Sequence, residues 1–411
     1  MKKIIALVMI ALIVLPVLAS CGADGGDTVT LYVYNWGEYI SDGSEDSLDT
    51  NAEFEKYCNN SEEIMKLTGG KKVKVNYSTY SSNEDLYAKL ESKTVSYDVV
   101  VPSDYMIARL AKEGLIQKID VSKMENYANI EDKFKNLYFD ENNEYCVPYT
   151  YGTVGIIYDS SKVDEADTED KSWALMWNEK YAGNILQFNN PRDAFGTAMF
   201  YQGSNPNSEN EADWVNAQKL LKDQKAIVQG YVMDEVFNKM KSGSAAVAVY
   251  YAGDYFTMYE DNENLEFYYP KEGTNVFVDA MCVPANSKNP ELAQEYINFM
   301  LSEEIAIANA EFICYASPNK LVYENEEYKE YMTDVHENAI EILYGYDDSK
   351  MEYFHDLPDD TRTLMNNLWE ELKIDSEKNT GVLIICGVIF AVLAVIVVIV
   401  IVRKKKKSLS Y

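Results

Sequence analysis

The protein is 411 residues long and strongly acidic, with 67 aspartates and glutamates against 37 lysines and arginines and a formal net charge of −30 at pH 7. Nucleic acids are bound through cations that neutralise phosphates, so this charge argues against nucleic acid and other phosphate-rich partners. Only two histidines are present and the cysteine spacing matches no zinc motif, so we expect neither a metal nor another cofactor.

The N-terminus has the three parts of a secretory signal peptide. Lys2 and Lys3 precede an apolar run at residues 4–18, and small residues lead up to Cys21. This pattern predicts that residues 1–21 form a signal peptide that directs the chain out of the cytoplasm. The last of these residues also resemble a bacterial lipoprotein signal, in which Cys21 carries the lipid. An ordinary signal that is cleaved nearby, with Cys21 incidental, is the alternative.

Apolar runs rich in valine and tyrosine predict three strands in the first part of the chain, at residues 31–34, 73–78 and 97–101. Between the first two strands, residues 42–60 are acidic and irregular, and we interpret them as a surface insertion. The helical spacing of apolar residues predicts a helix over residues 105–113, which ends at a glycine that can serve as its C-terminal cap.

Strands and helices continue to alternate further along the chain. Strands are predicted at residues 155–158 and 246–251, and a helix begins at Pro290 after the capping residue Asn289. This alternation predicts an α/β fold with mostly parallel strands. About 350 residues exceed one ordinary domain, so two lobes are expected. Ligands of such folds bind at the carboxyl ends of the strands.

Aromatic residues stand beside carboxylates just after several predicted strands. The segments are WGEY at residues 36–39, STY at 78–80, YAGD at 251–254 and FVD at 277–279. Aromatic faces attract cations, and carboxylates accept charge-assisted hydrogen bonds from ammonium groups. The pattern therefore predicts a site for a flexible chain with ammonium ends. The usual motifs of hydrolases, zinc proteases and nucleotide-binding enzymes are absent from the sequence, which favours binding over catalysis.

The C-terminus has the pattern of a membrane anchor. Residues 381–402 contain no charged residue, and Arg403 and four lysines follow at once. A helix of this length extends about 33 Å and exceeds a hydrocarbon core of about 30 Å. We therefore expect a transmembrane helix at residues 381–402 and a basic cytoplasmic tail at residues 403–411. The outward-facing part contains four cysteines that could form one or two disulfides: Cys58, Cys146, Cys282 and Cys314. The sequence does not determine their pairing.

Several long stretches of the sequence resemble the spermidine/putrescine-binding proteins of bacterial ABC importers. The resemblance runs from about residue 31 to residue 373, and its most specific stretches are residues 31–39, 77–80, 83–84, 87–90, 100–103, 112–120, 270–273 and 284–286, with Asp279. It implies a two-lobed type II periplasmic-binding-protein fold. Such a protein captures a polyamine, spermidine or putrescine, at the outer face of the cell membrane and delivers it to an ABC permease.

The resemblance also implies how the chain divides. The first lobe would comprise residues 28–148 and 278–324, and the second would comprise residues 149–277 and 325–375. The hinge would lie near residues 149–152 and 274–279. Closure of the cleft on its ligand would then be a shift between an open and a closed population.

Carried over from the family position by position, the ligand would be held by aromatic rings and carboxylates. Trp36 and Tyr39 would form one wall, and Glu38 would anchor an amine. The remaining implied ligand-binding residues are Ser78, Tyr80, Asp193, Tyr251, Asp254, Phe277, Asp279 and Tyr315.

Departures from the family pattern leave the length of the polyamine open. Asn190 replaces an acid found in spermidine binders, and Asp254 and Phe277 are like the putrescine-preferring branch. The stretches around Tyr80 and Ile116 are instead like the spermidine-preferring branch. Two alternatives to a polyamine importer component are the same fold with another small cationic solute, and a surface enzyme or adhesion protein built on a borrowed fold.

Overall fold

The structure is a computed structural model that describes residues 27–374. The predicted signal peptide with Cys21, the predicted membrane span at residues 381–402 and the basic tail at residues 403–411 lie outside these residues.

The fold predicted from the sequence included a membrane-spanning helix, and this part of the prediction is corrected. No helix within residues 27–374 is long and apolar enough to cross a membrane. The two longest helices of this range, Glu211–Lys225 and Asp359–Lys373, have 15 residues each and carry charged side chains. Fifteen helical residues extend about 22 Å, which is short of a hydrocarbon core of about 30 Å. The described fold is therefore α/β without a spanning helix.

Strands and helices alternate through the described residues. The strands are β1 Thr28–Trp36, β2 Lys72–Tyr80, β3 Val99–Val100, β4 Cys146–Asp159, β5 Ile185–Phe188, β6 Val228–Val232, β7 Val247–Tyr251, β8 Leu265–Tyr268, β9 Thr274–Cys282 and β10 Met351–Tyr353. The α-helices are Thr50–Asn60, Glu62–Leu67, Asn83–Ser92, Asp104–Lys112, Pro191–Gln202, Glu211–Lys225, Glu235–Lys241, Ala252–Tyr259, Pro290–Met300, Glu303–Ile313, Lys320–Glu324, Glu326–Val335, Ala339–Tyr344 and Asp359–Lys373.

Two central strands, β4 and β9, join the flanks of the sheet. The strand order is β2–β1–β3–β9–β4–β7–β5–β6, with β10 beside β9 and β8 beside β4. The pairs within the flanks, β1 with β2 and β3, and β5 with β6 and β7, are parallel. The pairs of β4 with β7, β8 and β9, and of β3 with β9, are antiparallel. The prediction of mostly parallel strands therefore holds in the flanks and fails in the middle.

β4 is much longer than the strand predicted at residues 155–158. All of its residues are buried except the partly exposed Tyr158, and β9 is buried throughout. A strand that is covered on both faces does not show the alternation of apolar and polar residues that marks an exposed strand. Pro148 and Gly152 weaken the strand signal of β4 further, so its first half escaped sequence-based prediction.

The segment at residues 42–60 is only partly the irregular insertion predicted from its composition. Residues 50–60 form a helix, and the Asp49 side chain caps it by accepting a hydrogen bond from the Ala52 N–H at 2.9 Å. Phe54 and Cys58 are buried, four residues apart on one face of this helix. Polar and charged neighbours such as Glu53, Glu55 and Lys56 hid this narrow apolar stripe in the sequence.

The four cysteines of the described residues are free and buried thiols. Cys146 and Cys282 lie opposite each other across the β4–β9 pair. The disulfides that the sequence allowed are therefore not formed among Cys58, Cys146, Cys282 and Cys314 in this structure.

Candidate functional site

A cavity opens at the carboxyl ends of the strands. Trp36 and Tyr251 end β1 and β7, and Ser81, Asn190 and Met233 follow shortly after β2, β5 and β6. Loops that leave parallel strands meet at one edge of a sheet, and ligands of α/β folds bind there. The cavity thus lies where the alternation of strands and helices predicts the site.

Six carboxylates line this cavity: Glu84, Asp104, Asp193, Asp234, Asp254 and Asp279. All but the last lie at the first turn or N-cap of a helix. Helix N-termini favour negative charge, because their free backbone N–H groups and the helix dipole point towards it. None of the described residues that line the cavity is a lysine, an arginine or a histidine. The lining is therefore suited to a cation.

Asp279, on β9, has one oxygen that is hydrogen-bonded and one that is not. The Tyr39 hydroxyl donates to its Oδ2 at 2.7 Å and lies 2.5 Å from the Thr150 hydroxyl. The Asp279 Oδ1 is buried and has no hydrogen-bond partner among the described residues. Burial raises the pKa of Asp279 from 3.8 to about 7; the Ser103 and Tyr39 hydroxyls oppose the rise, and the nearby Asp193 adds to it. An incoming N–H donor would satisfy the free oxygen.

Asp193 is held by two neighbours that donate to the same oxygen. The Asn190 amide and the Tyr251 hydroxyl donate to Asp193 Oδ2 at 2.7 and 2.9 Å. Asn190 also caps the helix Pro191–Gln202, because its Oδ1 accepts the Asp193 N–H at 2.8 Å. Asn190, which departs from the family pattern, therefore orients Asp193. Burial raises the pKa of Asp193 above its ordinary value.

Aromatic rings connect Asp193 to Asp254. The Tyr315 hydroxyl donates to Asp254 Oδ2 at 3.0 Å. The Phe277 ring lies between those of Tyr251 and Tyr315, at centroid distances of 5.3 and 6.4 Å. Burial raises the pKa of Asp254 well above its ordinary value, against the hydrogen bond from Tyr315. The cavity therefore has carboxylates at separate positions with rings between them.

Trp36 lines the cavity, whereas Tyr80 supports it from behind. Both side chains donate to the Val101 carbonyl oxygen, at 2.9 and 2.6 Å, and their rings are 4.6 Å apart. Ser78 is not part of the lining, and its hydroxyl donates to the Val33 carbonyl at 3.4 Å. Glu38 is exposed, with a positive φ of 50°, and is also not among the lining residues.

The structure thus brings eight of the eleven predicted ligand-binding residues into one cavity and leaves out Glu38, Ser78 and Tyr80. The eight are Trp36, Tyr39, Asp193, Tyr251, Asp254, Phe277, Asp279 and Tyr315.

Sequence reasoning missed several lining residues, including Glu84, Asp104, Tyr105, Asp234 and Asn275. Acidic residues are common in the first turn of a helix, so nothing in the sequence marked Glu84 and Asp104 as functional. Asn275 did carry a signal. Alternate residues of a strand share one face, and Asn275 stands two residues before Phe277 and four before Asp279 on β9.

A buried arginine, Arg192, favours the ionised forms of Asp104 and Asp193 but does not line the cavity. Arg192 is 2% exposed, donates to the Pro206 carbonyl and the Asn207 side chain, and lies 4.2 Å from the Phe354 ring. Burial raises the pKa of Asp104 and of Asp193, and the Arg192 charge opposes both shifts. Within residues 27–374 no group of three or more histidines, cysteines, aspartates and glutamates is arranged to hold a metal.

Open α/β folds bind small ligands in clefts at the strand ends, and an acidic cleft with aromatic rings fits the class of solute-binding proteins. The model of the family described as bacterial extracellular solute-binding proteins matches residues 59–334. The chain belongs to this family, and its place of action is accordingly outside the cytoplasm.

Relatives and solved structures agree with this assignment. The spermidine/putrescine-binding periplasmic protein of Salmonella typhimurium is 35% identical over 303 residues, which cover 74% of this chain and 81% of that protein. A Listeria monocytogenes structure, provisionally described as a spermidine/putrescine ABC transporter, is 31% identical with a TM-score of 0.72 and covers 84% of this chain and 99% of its own. The substrate-binding protein PotD of Streptococcus pneumoniae is 30% identical with a TM-score of 0.63, over 84% and 98%. The fold is therefore the α/β periplasmic-binding-protein fold.

Proposed function

We propose that this protein captures a polyamine, spermidine or putrescine, outside the cytoplasm and delivers it to the permease of an ABC importer. The observation that carries the proposal is a cavity with six carboxylates and no cationic side chain among its described lining residues. The named roles of the relatives, which bind spermidine and putrescine, support the same ligand class. No reaction is proposed, because the family's role is solute binding.

The chemistry of the lining fits a chain with several ammonium groups. Asp279 and Asp254 would each accept an N–H from an ammonium group, and the rings of Phe277 and Tyr251 would cover the methylenes between them. Three charge-assisted hydrogen bonds of about 1.5–3 kcal/mol each contribute about 5–9 kcal/mol, and the upper part of this range corresponds to roughly micromolar affinity. A ligand that carries a carboxylate finds no cation to pair with it, so amino acids are disfavoured.

Closure of the cleft would convert capture into delivery. The predicted hinge segments at residues 149–152 and 274–279 lie within β4 and β9, which pair with each other over residues 146–153 of β4. Beyond this stretch, β4 pairs with β7 and β8. Rotation about these two strands would open and close the cavity that Trp36 and Asp254 line together. The closed form would then be the one that docks on the permease.

Isothermal titration calorimetry with spermidine, putrescine and lysine tests the proposal. We expect binding of at least one polyamine at roughly micromolar affinity or tighter and no measurable binding of lysine. Asp279→Ala should weaken polyamine binding by at least about 2 kcal/mol, because it leaves a buried ammonium unpaired. Glu330→Gln removes an exposed charge outside the cavity lining and is the matched control. Absence of heat with both polyamines would reject the function.

A further inference from the structure

Asn275 is a buried polar residue whose side-chain oxygen lacks a hydrogen-bond partner among the described residues. Its side chain is 5% exposed and lines the cavity. Its Oδ1 is buried and has no hydrogen-bond partner among the residues that the structure describes. A buried amide oxygen without a partner costs stability, and native proteins leave few such atoms unpaired. A buried acceptor without a partner, on a side chain that lines a cavity, is explained if a ligand completes it.

The strand that carries Asn275 also carries Asp279, which is 4% exposed. Asn275, Phe277 and Asp279 are the residues of β9 that line the cavity, and they alternate with Val276 and Val278, which do not. The first and last of the three share a second property, because Asn275 Oδ1 and Asp279 Oδ1 are both buried acceptors without a partner in the described part of the chain. The Phe277 ring stands between them on the same face of the strand.

The spacing of these two acceptors restricts what can satisfy both. Four residues of extended strand separate their Cα atoms by about 13 Å. A hydrogen bond joins heavy atoms about 3 Å apart, so one ammonium group cannot bind both side chains. A ligand that pairs with both carries two N–H groups joined by a chain that passes over the Phe277 ring.

We propose that Asn275 is a further ligand-binding residue, whose Oδ1 accepts a hydrogen bond from one nitrogen of a polyamine while Asp279 pairs with another. This inference rests on the proposed function and assigns the direction of the ligand, which runs along β9. Asn275 supplies an acceptor without adding charge. Affinity for a second nitrogen is thereby gained without raising the repulsion among the six carboxylates.

Asn275→Leu tests this assignment, because leucine has nearly the same shape and no polar atoms. We expect the affinity for the tighter-binding polyamine of spermidine and putrescine to fall by about tenfold or more in calorimetry. The melting temperature of the ligand-free protein should rise, because an unpaired buried amide is removed. A residue with a merely structural role would lose stability on this change, so the two readouts together distinguish the roles.

Asn309→Leu is the matched control. Asn309 is 2% exposed, but it accepts from the Ser41 N–H and donates to the Ile305 carbonyl, and it lies outside this cavity. We expect Asn309→Leu to lower the melting temperature and to keep the polyamine affinity of the folded protein within about threefold of wild type. The assignment is supported if Asn275→Leu loses affinity and gains stability while Asn309→Leu keeps its affinity and loses stability.

Asn275→Asp keeps a hydrogen-bond acceptor at this position, and it tests the assignment if Asn275→Leu fails to fold. Its polyamine affinity should equal or exceed that of wild type, because a carboxylate accepts the same hydrogen bond. The assignment is overturned if Asn275→Leu binds polyamine within about threefold of wild type, or if Asn275→Asp binds about tenfold more weakly. If the wild-type protein binds neither polyamine, the proposed function itself fails, which is a different outcome.

Discussion

At the scale of single residues, Asp279 shows how the cleft is suited to a cation. One oxygen is bound by Tyr39, and the other is buried without a partner among the described residues. Burial raises the pKa of this carboxyl to about 7, with Asp193 adding to the rise. A bound ammonium would favour the charged form and lower the pKa again. Ligand binding and proton release are therefore linked through this residue.

Polyamine affinity should fall as the pH is lowered through 7. Above that pH the Asp279 carboxyl is already ionised before the ligand binds, whereas below it binding must first remove a proton. We expect a loss of about tenfold or more between pH 8 and pH 5.5, measured by calorimetry. Titrations in buffers of different ionisation enthalpy should report proton release near pH 7. A flat affinity profile over this range would contradict the assigned role of Asp279.

Asp279→Asn should stabilise the ligand-free protein at pH 8 while it weakens polyamine binding. The pKa of Asp279 is raised on folding from 3.8 to about 7, so ionisation costs the folded state up to about 4 kcal/mol above pH 7, and the cost vanishes below about pH 4. Thermal unfolding of both proteins at pH 8 and pH 5 checks this. The melting temperature of the variant should exceed that of wild type by more at pH 8 than at pH 5. A melting temperature below that of wild type at pH 8 would show that the ionised Asp279 does not destabilise the folded protein.

At the scale of secondary-structure elements, the strand-to-helix turns deliver the acidic side chains of the cleft, such as Glu84, Asp234 and Asp254. The turn after β7 is the tightest of these. A Cβ on Gly253 would lie 2.2 Å from the Tyr315 ring, so only glycine lets the helix Ala252–Tyr259 approach this ring. The same approach allows the hydrogen bond from Tyr315 to Asp254.

Gly253→Ala should displace Tyr315 and break its hydrogen bond with Asp254. We expect polyamine affinity to fall by about tenfold and the free energy of unfolding to fall by about 1–3 kcal/mol, because the core is overpacked. Alanine favours helix more than glycine does, so helix propensity cannot account for a loss. Gly230→Ala on β6 is the control, since no atom lies within 4 Å of its added Cβ. Equal behaviour of the two variants would contradict this account.

The elements also show what the sequence could and could not predict. Strands in the parallel flanks have short valine-rich runs, and β1, β2 and β7 lie within three residues of their predicted bounds. β4 was largely missed, because tyrosine, proline and glycine interrupt a strand that is buried on both faces. Asn275 was missed although its alternation with Phe277 and Asp279 places it on the same face of β9, because the sequence does not show that its Oδ1 lacks a partner among the described residues.

At the scale of the whole molecule, the acidity has two explanations that an experiment can separate. A net charge of −30 keeps a protein soluble, and it also raises the local concentration of cations. The cavity concentrates this effect, because its six carboxylates lie in one cleft. If the charge only confers solubility, association with a polyamine should not depend on the field of the protein.

The association rate constant for spermidine should fall several-fold as ionic strength rises from about 0.02 to 0.3 M, because salt screens the steering field. The dissociation rate should change less, since the buried hydrogen bonds are screened little. Stopped-flow measurement of the tyrosine and tryptophan fluorescence change checks both rates. An association rate that does not vary with salt would assign the acidity to solubility alone.

The central claim is that the carboxylates and rings of one cleft bind a polyamine. The most direct test is a crystal structure of the protein with spermidine or putrescine. The account predicts a ligand nitrogen about 3 Å from Asp279 Oδ1, and methylenes packed on Phe277 and Tyr251. A ligand ordered elsewhere, or a complex in which Asp279 Oδ1 still lacks a donor, would contradict it.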